Sequence, residues 1–235
     1  MKHAFTLIEL IIIVILIGIL AVSVSPVFRR DTLIPATNQV LDHIRYTQQL
    51  ALNQDMFVPS ADFSSYPKSF PNDYQRKKDA QQWFKKWWRI QFHDNNSYSV
   101  YSDHPSNSES NYYDLKPDRY DRVARDPLSG LYIVGDLGST TAYYDNERLK
   151  LVDLEEEYDV NVTISGCGTS RQIVFDNLGR PHCSQPYGDG DLRHPYDKMR
   201  SGYIDVALKT ENRETHICIT PVTGYTYISA NTSCP

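Results

Sequence analysis

The chain has 235 residues, with 24 Lys and Arg against 29 Asp and Glu, for a net charge of −5. That length holds an apolar anchor plus one globular domain of about 150–180 residues. The acidic balance excludes a uniformly basic nucleic-acid binder, and 17 tyrosines against 3 methionines suit an exported, β-rich domain.

The first element is an apolar run. Met1-Lys2-His3-Ala4 leads into Phe5-Thr6-Leu7-Ile8-Glu9-Leu10 and on to Phe28, 24 residues from Phe5 with Glu9 as the one ionisable group. As a helix it would be about 36 Å long, enough for a bilayer core of about 30 Å. A carboxylate in such a helix costs about 2–3 kcal/mol near the centre and less near the end. A positive partner from outside this chain is therefore expected. Two plainer readings stand beside a processed, assembling helix. One is a secretory signal peptide ending near Ala21-Val22-Ser23, although Lys2 is the only firm positive charge before the run and Glu9 interrupts it. The other is a single-pass anchor that is never cut.

Ala4-Phe5-Thr6-Leu7-Ile8-Glu9-Leu10, with the apolar run behind it, resembles the class III leader of type IV prepilins and type II secretion pseudopilins. The family usually has Gly where Ala4 stands. The resemblance implies a leader peptide over 1–4, cleavage by prepilin peptidase between Ala4 and Phe5, and N-methylation of Phe5. It implies a transmembrane and filament-core helix over 5–28, with Glu9 facing the N-terminal amine of a neighbouring subunit. The implied location is the bacterial inner membrane, single-pass, with the C-terminal domain in the periplasm. The implied partners are the lipid bilayer, other pilin or pseudopilin subunits, the peptidase and an inner-membrane assembly platform.

Pro26 should kink or melt the helix at the edge of the run, and Arg29 and Arg30 follow it. Residues 29–57 hold a second, amphipathic helix, predicted to begin after Pro35. Val40, Leu41, Ile44, Gln48, Ala51 and Leu52 recur at three- and four-residue spacings, giving a narrow face for a sheet. Thr37 or Asn38 serves as N-cap, and the end falls near Asn53–Phe57 with Pro59 beyond.

Residues 58–235 read as a β-rich globular domain. Trp87 to Phe92 and Tyr98 to Tyr101 alternate around Asp94-Asn95-Asn96, a hairpin pattern. Tyr158 to Ile164 alternates, and Gln172 to Phe175 runs into the turn Asp176-Asn177-Leu178-Gly179. A meander follows: Ile204, Val206 and Leu208, a turn near Asn212, Ile217 and Ile219, the turn Pro221-Val222-Thr223-Gly224, then Tyr225 to Ser229. Segments 60–82 and 103–129 are polar and proline-broken and read as surface loops. The fold class is α+β. The leader resemblance makes it pilin-like, a long N-terminal hydrophobic helix packed on an antiparallel β-sheet domain.

All four cysteines, Cys167, Cys183, Cys218 and Cys234, lie in the last third. An even count in a translocated domain reads as disulfides. Cys167–Cys183 and Cys218–Cys234 is the simplest of three connectivities, each loop contributing about 3 kcal/mol. No close Cys or His pair suggests zinc.

Trp83-Phe84-Lys85-Lys86-Trp87-Trp88-Arg89 interleaves aromatics with bases. Lys85, Lys86, Trp88 and Arg89 could stack on bases and grip phosphates. The same pattern describes a strand whose tryptophans enter a core while lysines stay solvated, and an acidic domain favours the latter. Asp189 and Asp191 are weak calcium candidates, short of the oxygen donors that ion needs; no metal or other cofactor is expected. The histidines are dispersed and no nucleophile elbow or phosphate loop occurs, so no enzymatic role is expected.

Ile173-Val174-Phe175, Gly179-Arg180-Pro181 and Thr223-Gly224-Tyr225 resemble the C-terminal part of H-type minor pseudopilins and FimT-like minor pilins. DNA-binding members of that group carry arginines after the last glycine, where Tyr225-Thr226-Tyr227 stands here. The expected function is a minor pilin or pseudopilin subunit of a type II secretion or type IV pilus-like filament. The alternatives are a DNA-binding minor pilin of a competence system, or a membrane-anchored exported protein outside any filament.

Overall fold

The computed structural model describes residues 7–24, 31–54, 86–105, 121–136, 142, 144–183 and 200–235. The chain divides into two units, residues 1–32 and residues 33–235. In the first, helix α1 runs Leu7–Val24, 18 residues. That is about 27 Å of helix, and among the described residues no helix is long and apolar enough to cross a membrane. The run predicted over 5–28 is thus described as helix over Leu7–Val24. Ala4, Phe5 and residues 25–28 lie outside the described residues.

The second unit is organised around helix α2, Leu33–Leu52. Leu33, Ala36, Val40, Leu41, Ile44 and Ala51 are buried along one stripe, as their three- and four-residue spacing requires. The helix begins ahead of Pro35, not after it. Proline is tolerated there because the first four N–H groups of a helix have no intrahelical partner. The expected N-cap is corrected too. Thr37 lies inside the helix, buried, with its hydroxyl donating to the Leu33 carbonyl at 2.7 Å.

Two antiparallel sheets form where one was expected. The first contains β1 (Trp88–Phe92), β2 (Tyr98–Pro105), β3 (Asp121–Val123), β5 (Gln172–Phe175) and β6 (Pro181–Cys183), in the order β3-β2-β1-β5-β6. The second contains β4 (Asn161–Ser165), β7 (Ile204–Lys209), β8 (Glu214–Ile219) and β9 (Thr226–Ile228), in the order β4-β7-β8-β9. Between β4 and β5 the chain bends at Gly166 and Gly168, with φ of 85° and 63°, and changes sheet. Such angles suit glycine, which has no Cβ to clash.

Most predicted strands fall in place. The β1–β2 hairpin pairs Phe92 with Tyr98, and Asn96 takes φ 57° at its turn, a conformation asparagine tolerates. Gln172–Phe175 and the C-terminal meander form as read. The strand expected over Tyr158 to Ile164 starts later. Leu154–Tyr158 is a short helix, α3, whose first turn carries Glu155, Glu156 and Glu157, acids that suit a helix N-terminus. The loop expected over 103–129 is partly regular, since β2 extends to Pro105 and β3 pairs with it. Residues 106–120, and all of 60–82, lie outside the described residues.

Three devices join the sheets. Helix α2 packs on β1 of the first sheet and on β8 and β9 of the second. The Asn96 amide reaches from the first hairpin to β4: its oxygen accepts the Val162 N–H at 3.0 Å, and its nitrogen donates to Asn161 at 2.9 Å and Glu155 at 2.8 Å. The Cys167–Cys183 disulfide ties the bend after β4 to the end of β6, with Cα atoms 5.3 Å apart.

Candidate functional site

Along α1 the apolar side chains from Leu7 to Ile19 are exposed on every face of the helix, and Glu9 sits in its first turn. A helix apolar all round normally belongs in a core or a bilayer. The residues expected to be processed, Ala4 and Phe5, fall outside the described residues, while Glu9 lies within the described helix α1.

The basic–aromatic segment turns inward. Lys86, Trp88 and Arg89 are 4%, 5% and 1% exposed, so none of the three is presented to a nucleic acid; Lys85 lies outside the described residues. β1 is the central strand of its sheet, and its polar groups are used internally. The Trp88 indole N–H donates to Gln54 at 2.8 Å. The Arg89 guanidinium sits 5.5 Å from the centre of the Tyr101 ring and donates to Gln172 at 3.4 Å. A buried cation held by an aromatic face and amide oxygens serves packing.

Asp189 and Asp191 lie outside the described residues. Among those described, no group of three or more His, Cys, Asp or Glu could hold a metal ion. The cysteines pair as the simplest connectivity predicts, Cys167–Cys183 and Cys218–Cys234. The second bridge fastens the C-terminal tail to β8, where it would otherwise fray.

Three buried polar networks were not visible in the sequence. Gln39 donates to the Tyr98 hydroxyl at 2.7 Å, and with the His43 Nε2–H turned to the Asp126 carboxylate that hydroxyl donates to His43 Nδ1, also at 2.7 Å. His43 Nε2–H then faces Asp126 at 3.4 Å, and Asp126 accepts the Ser129 N–H and hydroxyl at 2.7 and 2.6 Å. Burial holds the His43 imidazole below its ordinary pKa despite Asp126. This chain fastens α2 to the turn after β3.

The second network centres on Asp176, whose side chain is wholly buried. It accepts from the Leu178 and Arg180 backbone N–H groups, both at 2.9 Å, from the Arg180 guanidinium at 2.6 Å and from His182 Nε2 at 3.1 Å. Burial alone would raise this carboxyl, but the bonds from His182 and Arg180 outweigh it and hold the pKa below the usual value. The Asp-Asn-Leu-Gly turn signal pointed to the bend, not to the ion pair beneath it.

The third is His93, which lies 2.8 Å from the Ser99 hydroxyl. Ser99 is fully buried and also accepts the Gly135 N–H at 2.8 Å. The pair therefore braces the hairpin instead of facing a substrate. Burial pulls the His93 pKa from 6.5 down to about 4. The unfolded chain takes its proton near pH 6.5 while the folded one resists to about pH 4, so stability falls as pH drops through that window. Over that range His93 accounts for a loss of about 3 kcal/mol, and His43, whose burial also lowers its pKa, adds loss of the same sign. Urea midpoints at pH 7 and pH 4.5 should separate clearly for the native chain and less for His93→Gln; an equal separation would remove His93 from the account.

Gln48 makes the last junction. Its amide nitrogen donates to the Gly179 carbonyl at 2.8 Å and to the Thr223 carbonyl at 3.1 Å, so one helix side chain holds the β5–β6 and β8–β9 turns together. Nearby, Arg45 donates to the Thr226 carbonyl at 2.8 Å and covers the outer edge of β9. The signal for Gln48 was its place within the apolar stripe of α2.

The second unit is thus an α+β domain, one helix laid across two antiparallel sheets and stapled twice. No family model matches the chain, and no curated protein or solved structure matches it.

Proposed function

We propose that the protein is a minor pilin or pseudopilin subunit, anchored by residues 5–28 and assembled into a type II secretion or type IV pilus-like filament. The observation that carries this reading is α1: apolar side chains exposed on all faces, with a carboxylate in the first turn. Such a surface needs lipid or other apolar helices around it. In the filament Glu9 meets the N-terminal amine of the next subunit, a contact that low dielectric strengthens. The domain of residues 33–235, with its two disulfides, sits in the periplasm, the oxidising side where such bonds persist. This reading assigns the chain no reaction of its own.

The test is the mass of the N-terminus in a membrane fraction from cells with a prepilin peptidase. A chain beginning at methylated Phe5 is the expected result. A chain beginning at Met1, or after Ala21-Val22-Ser23, would end the proposal. The competence alternative draws no support from Lys86, Trp88 or Arg89, which are buried.

A further inference from the structure

The tripeptide Asn-x-Ser/Thr accepts an N-linked sugar when it lies on the surface of an exported chain. It occurs three times here, at 95–97, 161–163 and 231–233, and the fold separates the three. Ser97 is wholly buried, and its hydroxyl donates to the Asn95 amide oxygen at 2.7 Å, so that site is closed in the folded chain. Asn231, Thr232 and Ser233 are exposed, but the residue two places ahead of the asparagine is the neutral Ser229.

The remaining tripeptide lies on β4, an edge strand of the second sheet. Residues two apart on a strand share a face, and here that face is open. Asp159, Asn161 and Thr163 are all exposed, whereas Val160 and Val162 between them are 0% and 2% exposed. An acid, an amide and a hydroxyl therefore stand in one outward row that begins at the left-handed cap of α3, Asp159. The Asn161 carboxamide oxygen accepts from Asn96 at 2.9 Å, and no described residue takes its nitrogen.

We infer that Asn161 is an acceptor for an N-linked oligosaccharide, with Asp159 as a positioning residue for the transferase. The donor is an oligosaccharide carried on a lipid diphosphate. In the transfer a bond forms from Asn161 Nδ2 to the anomeric carbon, and the bond from that carbon to the phosphate oxygen breaks. The lipid diphosphate leaves with the electron pair, and the amide nitrogen gives up one proton. An enzyme that holds a diphosphate presents cations to it, so an acid beside the acceptor adds a charge-assisted contact. Ser229 offers no such contact to a transferase at Asn231. Once attached, the sugar covers the edge of β4, which would otherwise offer unpaired backbone groups to another chain. The inference rests on the periplasmic placement of the domain in the filament reading, and not on assembly itself.

The test uses the full chain made in cells that supply a periplasmic oligosaccharyltransferase and a lipid-diphosphate-linked oligosaccharide. Mass analysis of the digested protein should find the sugar on the peptide with Asn161, and not on those with Asn95 or Asn231. Asn161→Gln and Thr163→Ala should each remove it, while Thr163→Ser keeps it. Asp159→Asn suits the same left-handed backbone and should lower occupancy about tenfold through the lost charge, with Asp159→Glu restoring it. A bare Asn161, or a sugar at 95 or 231 in its place, would overturn the inference. The same sample reads the N-terminus. A chain starting at methylated Phe5 with a bare Asn161 ends this inference alone. A glycosylated chain starting at Met1 ends the filament reading alone.

Discussion

If Glu9 pairs with a neighbouring subunit's amine as proposed, Glu9→Ala should abolish most filament assembly while cleavage before Phe5 and membrane insertion continue. Removing one member of a desolvated charge pair costs about 2–5 kcal/mol, which is well over tenfold in association. The substitution makes α1 more apolar, so insertion cannot suffer from it. Glu9→Gln keeps the shape and loses the charge, and it should resemble Glu9→Ala if attraction to an amine is what matters. The measurement is the sheared or sedimented polymer fraction against total membrane-bound protein. Normal polymer from both variants would leave α1 as an anchor and nothing more.

Gly224→Ala is expected to be among the most damaging single changes in the domain of residues 33–235. Gly224 combines φ 66° with a crowded site, where the new Cβ meets the Gly179 carbonyl and Gln48. A backbone carbonyl held in a turn cannot step aside cheaply. The loss should be about 3 kcal/mol, or a drop of about 6–12 °C in Tm for a domain of this size. Gly130 gives the internal control. Its φ is 73°, but nothing lies within 4 Å of the added methyl, so Gly130→Ala should cost only about 1 kcal/mol through the backbone angle. Similar losses for both variants would mean that the turn-to-turn contact contributes little.

Glu9 is conspicuous because an acid in 24 apolar residues needs a reason. Gly224 is one turn glycine among several, and only its neighbours, like those of Gly166, mark the site as crowded. The same contrast holds for Trp88 and Arg89. Alternation of aromatics and bases says that neighbouring residues face opposite ways, but not which faces meet another layer. As β1 is the central strand, both bury. Pro35 reads as a boundary along the sequence, yet α2 starts ahead of it, because a first turn accepts proline.

What the sequence determined by itself is whatever depends on neighbours along the chain. The apolar run with its acid, the stripe of α2, the turns after Phe92, Phe175 and Ile219, and the local disulfide pairing were all readable, because period, turn chemistry and short loops act over a few residues. Tertiary structure decided the rest. The split into two sheets, the inward turn of the basic–aromatic strand, the Asp176 and His43 networks and the Gln48 junction join residues up to 175 positions apart. Their partners are chosen by packing and by satisfying buried polar groups, which no local pattern encodes.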